Sequence, residues 1–143
     1  MDSSGWLVWA LGSAVFAALT AIFAKIGLEG VDSDFATLVR TGVIVVVLTL
    51  IVLALGKWRN PFSLAPRTLL FLVLSGLATG ASWLCYFRAL KLGEASRVAP
   101  IDKLSLVLVA VFAVIFLGER PSAWSWFGIL LVGAGVFVLG LRR

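Results

Sequence analysis

Five apolar stretches divide this chain, and four of them are long enough, or nearly so, to cross a bilayer unaided. The fourth sets the constraint. From Leu104 to Leu117 it offers 14 uncharged residues, about 21 Å of helix at the usual rise. A hydrocarbon core of roughly 30 Å needs about 20 residues. This span must therefore open near Val98 and take Asp102 and Lys103 inside its entrance. A charge within the membrane costs on the order of 2.5–3.5 kcal/mol on insertion scales, so such residues mark ion or substrate paths.

With 62% hydrophobic residues in 143 and a mean hydropathy of +1.11, there is far more apolar surface than a soluble domain of this size can hide. An integral membrane protein is expected, with lipid as its first partner. The single cysteine, Cys85, excludes an internal disulfide, and the lack of histidine removes zinc and Cys-His sites, so no metal or cofactor is expected. Lone Cys85 has no histidine base to activate it and no serine has a credible activating partner, which speaks against an enzyme. The net charge of +5 does not point to nucleic acid. Its Lys and Arg gather between the apolar runs, where they meet headgroups and set topology.

The first run lacks the basic leader and short core of a cleavable signal and reads as a permanent helix. The spacing predicts one all-α transmembrane domain over residues 1–143, with helices near 4–27, 35–55, 68–90, 98–117 and 122–141. The second span has only 15 uncharged residues, Thr41 to Leu55, and so carries Arg40 inward. Trp6, Trp9, Trp58, Trp124 and Trp126 fall near helix ends, as interface belts do. Trp83 and Tyr86 lie deeper in the third span, at i and i+3 on one face, where they line a pocket or pack helices.

Five spans put the termini on opposite faces. Lys57, Arg59, Arg67 and Arg120 lie toward one face, and Arg88, Lys91, Arg97, Arg142 and Arg143 toward the other. Lys25, Arg40 and Lys103 sit at helix ends on that second face. Counted as loop charges, they place the C-terminus in the cytoplasm. Set aside as buried functional residues, they leave almost no bias, and an antiparallel homodimer becomes as natural as a parallel one.

The run Tyr86-Phe87-Arg88-Ala89-Leu90-Lys91-Leu92-Gly93-Glu94-Ala95-Ser96-Arg97-Val98-Ala99-Pro100 resembles the EamA family of the drug/metabolite transporter superfamily. So do the turn Gly118-Glu119-Arg120-Pro121 and the Gly-rich last span with Gly128, Gly133 and Gly135. The resemblance implies a transporter of small metabolites or drugs, often an exporter, in the inner membrane. Typical members have ten helices in two inverted repeats, whereas this chain supplies five, so a second copy of itself is implied. The related four-helix transporters use an acid in their first helix; here that helix has Lys25 as its only ionisable group.

Asp102 is expected to be the only acid within a span and is the candidate proton-coupling group. Alternatively it is an acid in a first helical turn opened by Pro100, with Lys103 snorkelling to headgroups. Ser105, at i+3, is placed to orient it. Lys103, Arg40 and Lys25 are candidate ligands for an anionic or zwitterionic small-molecule substrate, or else anchors paired with Glu29, Asp32 and Asp34. An accessory subunit that carries nothing, or part of a flippase for anionic headgroups, remain the alternatives to a proton-coupled exporter.

Overall fold

The computed structural model describes residues 5–141, so Ser4, Arg142 and Arg143 lie outside the described part. Among the described residues there are six α-helices and no strand: α1 (Gly5–Gly27), α2 (Ser33–Ala54), α3 (Pro66–Leu92), α4 (Ala95–Asp102), α5 (Ser105–Phe112) and α6 (Ala123–Leu141). A 3₁₀ turn spans Pro61–Ser63, and a π-helical turn, Ala113–Leu117, continues α5. Five segments are long and apolar enough to cross a membrane, with Ala95–Leu117 counting as one. The expected all-α, five-span membrane fold is what the chain adopts.

Local chemistry sets where each span begins. α2 starts at Ser33 rather than Phe35 because Asp32 caps it: Oδ1 accepts from the Asp34 and Phe35 N–H groups at 2.9 and 3.0 Å. α3 starts at Pro66, two residues before the expected Thr68, since proline suits a first helical turn. α2 ends on Gly56 at φ +64°, where Gly56 N–H donates to Leu53 O and Lys57 N–H to Val52 O. These are the paired bonds of a Schellman turn, and only a residue tolerant of positive φ can close it.

The fourth span departs most from expectation. It begins at Ala95, not Val98, and Pro100 lies inside α4 rather than opening a helix. Asp102 is the last residue of α4, and Lys103 is its C-cap. The alternative of an acid in a first helical turn is therefore overturned. Beyond it the backbone tightens: Lys103, Leu104, Leu106 and Val107 donate to carbonyls three residues back. The tighter i to i−3 bonding narrows the backbone here and marks the break, just after Pro100, whose nitrogen cannot donate.

The chain forms two compact units, one of residues 23–92 and one of residues 5–22 with 93–141. In the second, α6 packs on α4 and α5, with Ala110 and Val136 buried. A Cβ on Gly133 would meet Val107 Cγ2 at 3.3 Å, which is the close approach this glycine permits. In the first, burial concentrates where α2 begins and α3 ends. Leu28, Ser33, Thr37, Phe87 and Leu90 are buried there, and Leu90 is fully enclosed. Farther along, every residue of 42–48 and of 70–82 is exposed. Apolar side chains that face outward along whole spans suit hydrocarbon rather than water.

Leu90→Ala should lower stability by about 2–5 kcal/mol, the usual range for an enclosed leucine, measured as thermal unfolding in detergent. Gly133→Leu should destabilise the other unit by overpacking against Val107, while Gly128→Leu, with open space at its Cβ, should leave the unfolding temperature near wild type.

Candidate functional site

The cations at the tightly packed end of residues 23–92 sort by what holds them. Lys25 Nζ donates to Leu90 O at 2.6 Å. That carbonyl lies in the last turn of α3, where helices leave carbonyls without intrahelical donors. Lys91 Nζ donates to Val31 O in the turn before α2. Arg88 is held by two bonds to one carboxylate, Nε to Asp34 Oδ1 at 2.8 Å and Nη2 to Asp34 Oδ2 at 2.6 Å. Two parallel N–H···O bonds are the strong form of this pairing and fix orientation as well as distance. They join the first turn of α2 to the last turns of α3.

Two expectations change here. Asp34 is not in the loop but within the second span's helix, so Asp102 is not the only acid in a span. The partner of Asp34 is Arg88, not Lys25 or Arg40, and Asp32 is engaged as a helix cap.

Arg40 differs from its neighbours. Its guanidinium carbon lies 3.4 Å from the centroid of the Trp83 ring and 5.7 Å from that of Phe87. A cation over indole is attracted by the ring quadrupole, and more strongly when water is scarce. Trp83 is in turn held edge-on by Tyr86 and Phe87, with centroids 5.5 and 5.8 Å apart. Arg40, Trp83 and Tyr86 are all half-buried, and Phe87 is buried. The guanidinium makes no hydrogen bond to any acceptor among the described residues. A stacked Arg keeps its N–H fork free at the edge, which is how it recognises carboxylate and phosphate. The structure thus brings together Arg40, Trp83 and Tyr86 of the expected site, and it places Lys25 one helical turn away through Leu90.

Asp102, Lys103 and Ser105 belong to the other unit. Asp102 is half-buried and Lys103 exposed, with Lys103 Nζ 3.4 Å from Asp102 Oδ2. The Ser105 hydroxyl makes no hydrogen bond to Asp102 among the described residues; Lys103 is the side chain that reaches that carboxylate. Seven residues of helix precede Asp102, which sets it about 11 Å from the start of its span.

Phe87, Arg88 and Asp34 are the residues that sequence reasoning did not place in the site. Phe87 and Arg88 sit in the run that carries the family resemblance, and Phe87 follows Trp83 by one turn, so helical periodicity was the available signal. Nothing local in the sequence joins Asp34 to Arg88, 54 residues away.

Five spans with apolar side chains facing outward define a multi-pass membrane protein. Residues 4–141 match the EamA-like transporter family, and the chain belongs to that family, within the drug/metabolite transporter superfamily. A Sinorhizobium protein described as an uncharacterized transporter in the cobO 3′ region is 58% identical over 139 residues, covering 97% of this chain and 99% of that one. Human solute carrier family 35 member G1 is 31% identical over 135 residues, 94% of this chain but 36% of its own length. An uncharacterized protein of Methanocaldococcus jannaschii is 24% identical over 143 residues and matches end to end. No solved structure matches the chain.

Single variants Asp34→Ala and Arg88→Ala should each lower the unfolding temperature, and the double variant should fall little further, since both remove one interaction. The charge swap Asp34→Arg with Arg88→Asp should recover part of the loss.

Proposed function

We propose that this chain is one half of a proton-coupled exporter of small anionic or zwitterionic metabolites in the cytoplasmic membrane, working as a homodimer. The observation that carries the substrate assignment is Arg40, a half-buried cation with no protein acceptor among the described residues, fixed on Trp83. Lys25, Arg88 and Lys91 each donate to a protein oxygen. Arg40 has its donors available for a ligand. In surroundings poorer in water than bulk, an unmet guanidinium gains more from an incoming anion than a hydrated one does.

Asp102 is the proposed coupling group. It is the last residue of α4, seven residues into its span, where the helix is broken. In this reading Asp102 gives up a proton when substrate arrives and regains it when substrate leaves. Lengths support the dimer: the chain matches two relatives of its own size end to end, and only about a third of human solute carrier family 35 member G1. A second copy supplies the five helices that the longer chain carries covalently. Inverted repeats around a central site are a common plan for such transporters.

In weakly buffered detergent solution, titration with anionic and zwitterionic compounds should release protons from the wild type. Asp102→Asn should abolish the release and leave folding intact. Release that persists in Asp102→Asn removes that residue from the coupling role. In sealed vesicles, a protease site at the C-terminus should be half-cleaved if the dimer is antiparallel; cleavage that is all or none excludes that arrangement.

A further inference from the structure

The cations of residues 23–92 fall into two sets at opposite ends of α2 and α3. At the packed end Lys25, Arg88 and Lys91 each donate to a protein oxygen, and Glu29, Asp32 and Asp34 share that end. At the other end, around the connection from α2 to α3, stand Lys57, Arg59 and Arg67. None of these three side chains makes a hydrogen bond or ion pair with a protein group among the described residues. No acid lies between Asp34 and Glu94 in the sequence, so the segment that carries them offers them none. Arg67 also sits in the first turn of α3, where the helix dipole disfavours a cation. Folding of this unit draws no support from the three charges.

The connection itself is ordered by its own bonds. After α2 closes on Gly56, Asn60 opens the 3₁₀ turn Pro61–Ser63. Asn60 Oδ1 accepts from the Phe62 N–H at 3.0 Å, and its carbonyl accepts from Ser63 Oγ at 2.7 Å. Pro61 and Pro66 restrict the backbone further. Phe62, at the centre of the turn, is 86% exposed and Trp58 is 59% exposed, while Leu64 alone between 55 and 68 is half-buried. α2 is 22 residues long, about 33 Å at the usual rise, enough to cross a hydrocarbon core of roughly 30 Å. The connection therefore emerges at headgroup level, where aromatic rings and basic side chains meet an apolar and an anionic phase at once.

We propose that the 57–67 connection is a docking surface for anionic phospholipid, with Lys57, Arg59 and Arg67 on headgroup phosphates and Phe62 and Trp58 set into the interface beside them. The occupant is a lipid of net negative charge, such as phosphatidylglycerol, rather than a soluble phosphate. An ion in water gives two exposed aromatic rings nothing to bury against, whereas a lipid supplies both the phosphate and the apolar phase. A zwitterionic lipid brings an ammonium with each phosphate, and that group competes with the three cations. An anionic lipid brings none. Each Lys or Arg close to an anionic surface strengthens the attraction about fivefold. The packed end has no such preference to offer, because protein oxygens already hold Lys25, Arg88 and Lys91. The surface is independent of the substrate reading, since Arg40 lies toward the other end of α2.

The test uses the whole protein in maltoside micelles, labelled with 5-fluorotryptophan and followed by fluorine NMR. The Trp58 resonance is identified by its loss in Trp58→Phe. Phosphatidylglycerol or phosphatidylcholine is added at rising mole fraction and constant ionic strength. Phosphatidylglycerol should shift Trp58 at a mole fraction about tenfold or more below that of phosphatidylcholine. The triple variant Lys57→Gln, Arg59→Gln, Arg67→Gln should bring the two lipids to within about twofold of each other. The charge-keeping triple Lys57→Arg, Arg59→Lys, Arg67→Lys should retain the gap, which separates lost attraction from a distorted turn. Phe62→Ser should raise the fraction required of both lipids; fractions that stay unchanged overturn the insertion of Phe62. Equal responses to the two lipids in the wild type, a gap that survives the Gln triple, or no Trp58 shift with either lipid overturns the docking surface. A shift matched by inorganic phosphate at the same concentration as phosphatidylglycerol overturns the lipid as its occupant.

Discussion

The absence of water from a hydrocarbon core governs this molecule more than any single contact. There, each polar group must find its partner within the protein or among the lipid headgroups. The packed end of residues 23–92 answers that demand. Lys25 closes on the last turn of α3, Lys91 on the turn before α2, and Arg88 on Asp34. These bonds hold the α1 terminus, the start of α2 and the end of α3 together. Leu28, Phe87 and Leu90 are buried at the same end. Against that background, the Arg40 guanidinium stands out: among the described residues it has no acceptor, whereas Lys25, Arg88 and Lys91 each have one.

The two charged regions differ in kind. Around Arg40 the surroundings are aromatic, with Trp83 held edge-on by Tyr86 and Phe87. Around Asp102 the backbone is interrupted, with proline inside α4 and tightened turns after it. Broken helices put backbone and side-chain polarity at membrane depth, where an ion can use it. The two charged regions thus fall on separate pieces of the chain, each built by a different local device.

Much of the architecture was legible in the sequence because a bilayer reduces the problem to counting apolar residues. The five spans, the inward position of Arg40 and the depth of Asp102 follow from span length alone. The boundaries did not, since they turn on individual side chains: the Asp32 cap and Pro66 each move a helix start by two residues. The break in the fourth span was hidden for a similar reason. Pro100 reads as a helix opener until the structure shows helix on its N-terminal side. Of the site, the pairing of Trp83 with Tyr86 was readable from i, i+3 spacing, whereas the contacts of Arg40 with Trp83 and of Asp34 with Arg88 join residues more than 40 positions apart. No periodicity reports such pairings. Helices have to meet before they exist.

The wide turn at Ala113–Leu117 has a consequence of its own. Hydrogen bonding from i to i+5 accommodates one more residue than an α-helical turn, and each residue accounts for about 100° of rotation around the axis. Side chains after Ala113 are therefore out of phase with a helical wheel drawn from α5. Ile115, Phe116 and Leu117 point in directions that extrapolation from Ser105–Phe112 would assign to their sequence neighbours. The last stretch of this span is thereby turned relative to the part that begins beside Asp102. A cysteine scan read along it would show its accessibility rhythm slip by one residue at that point.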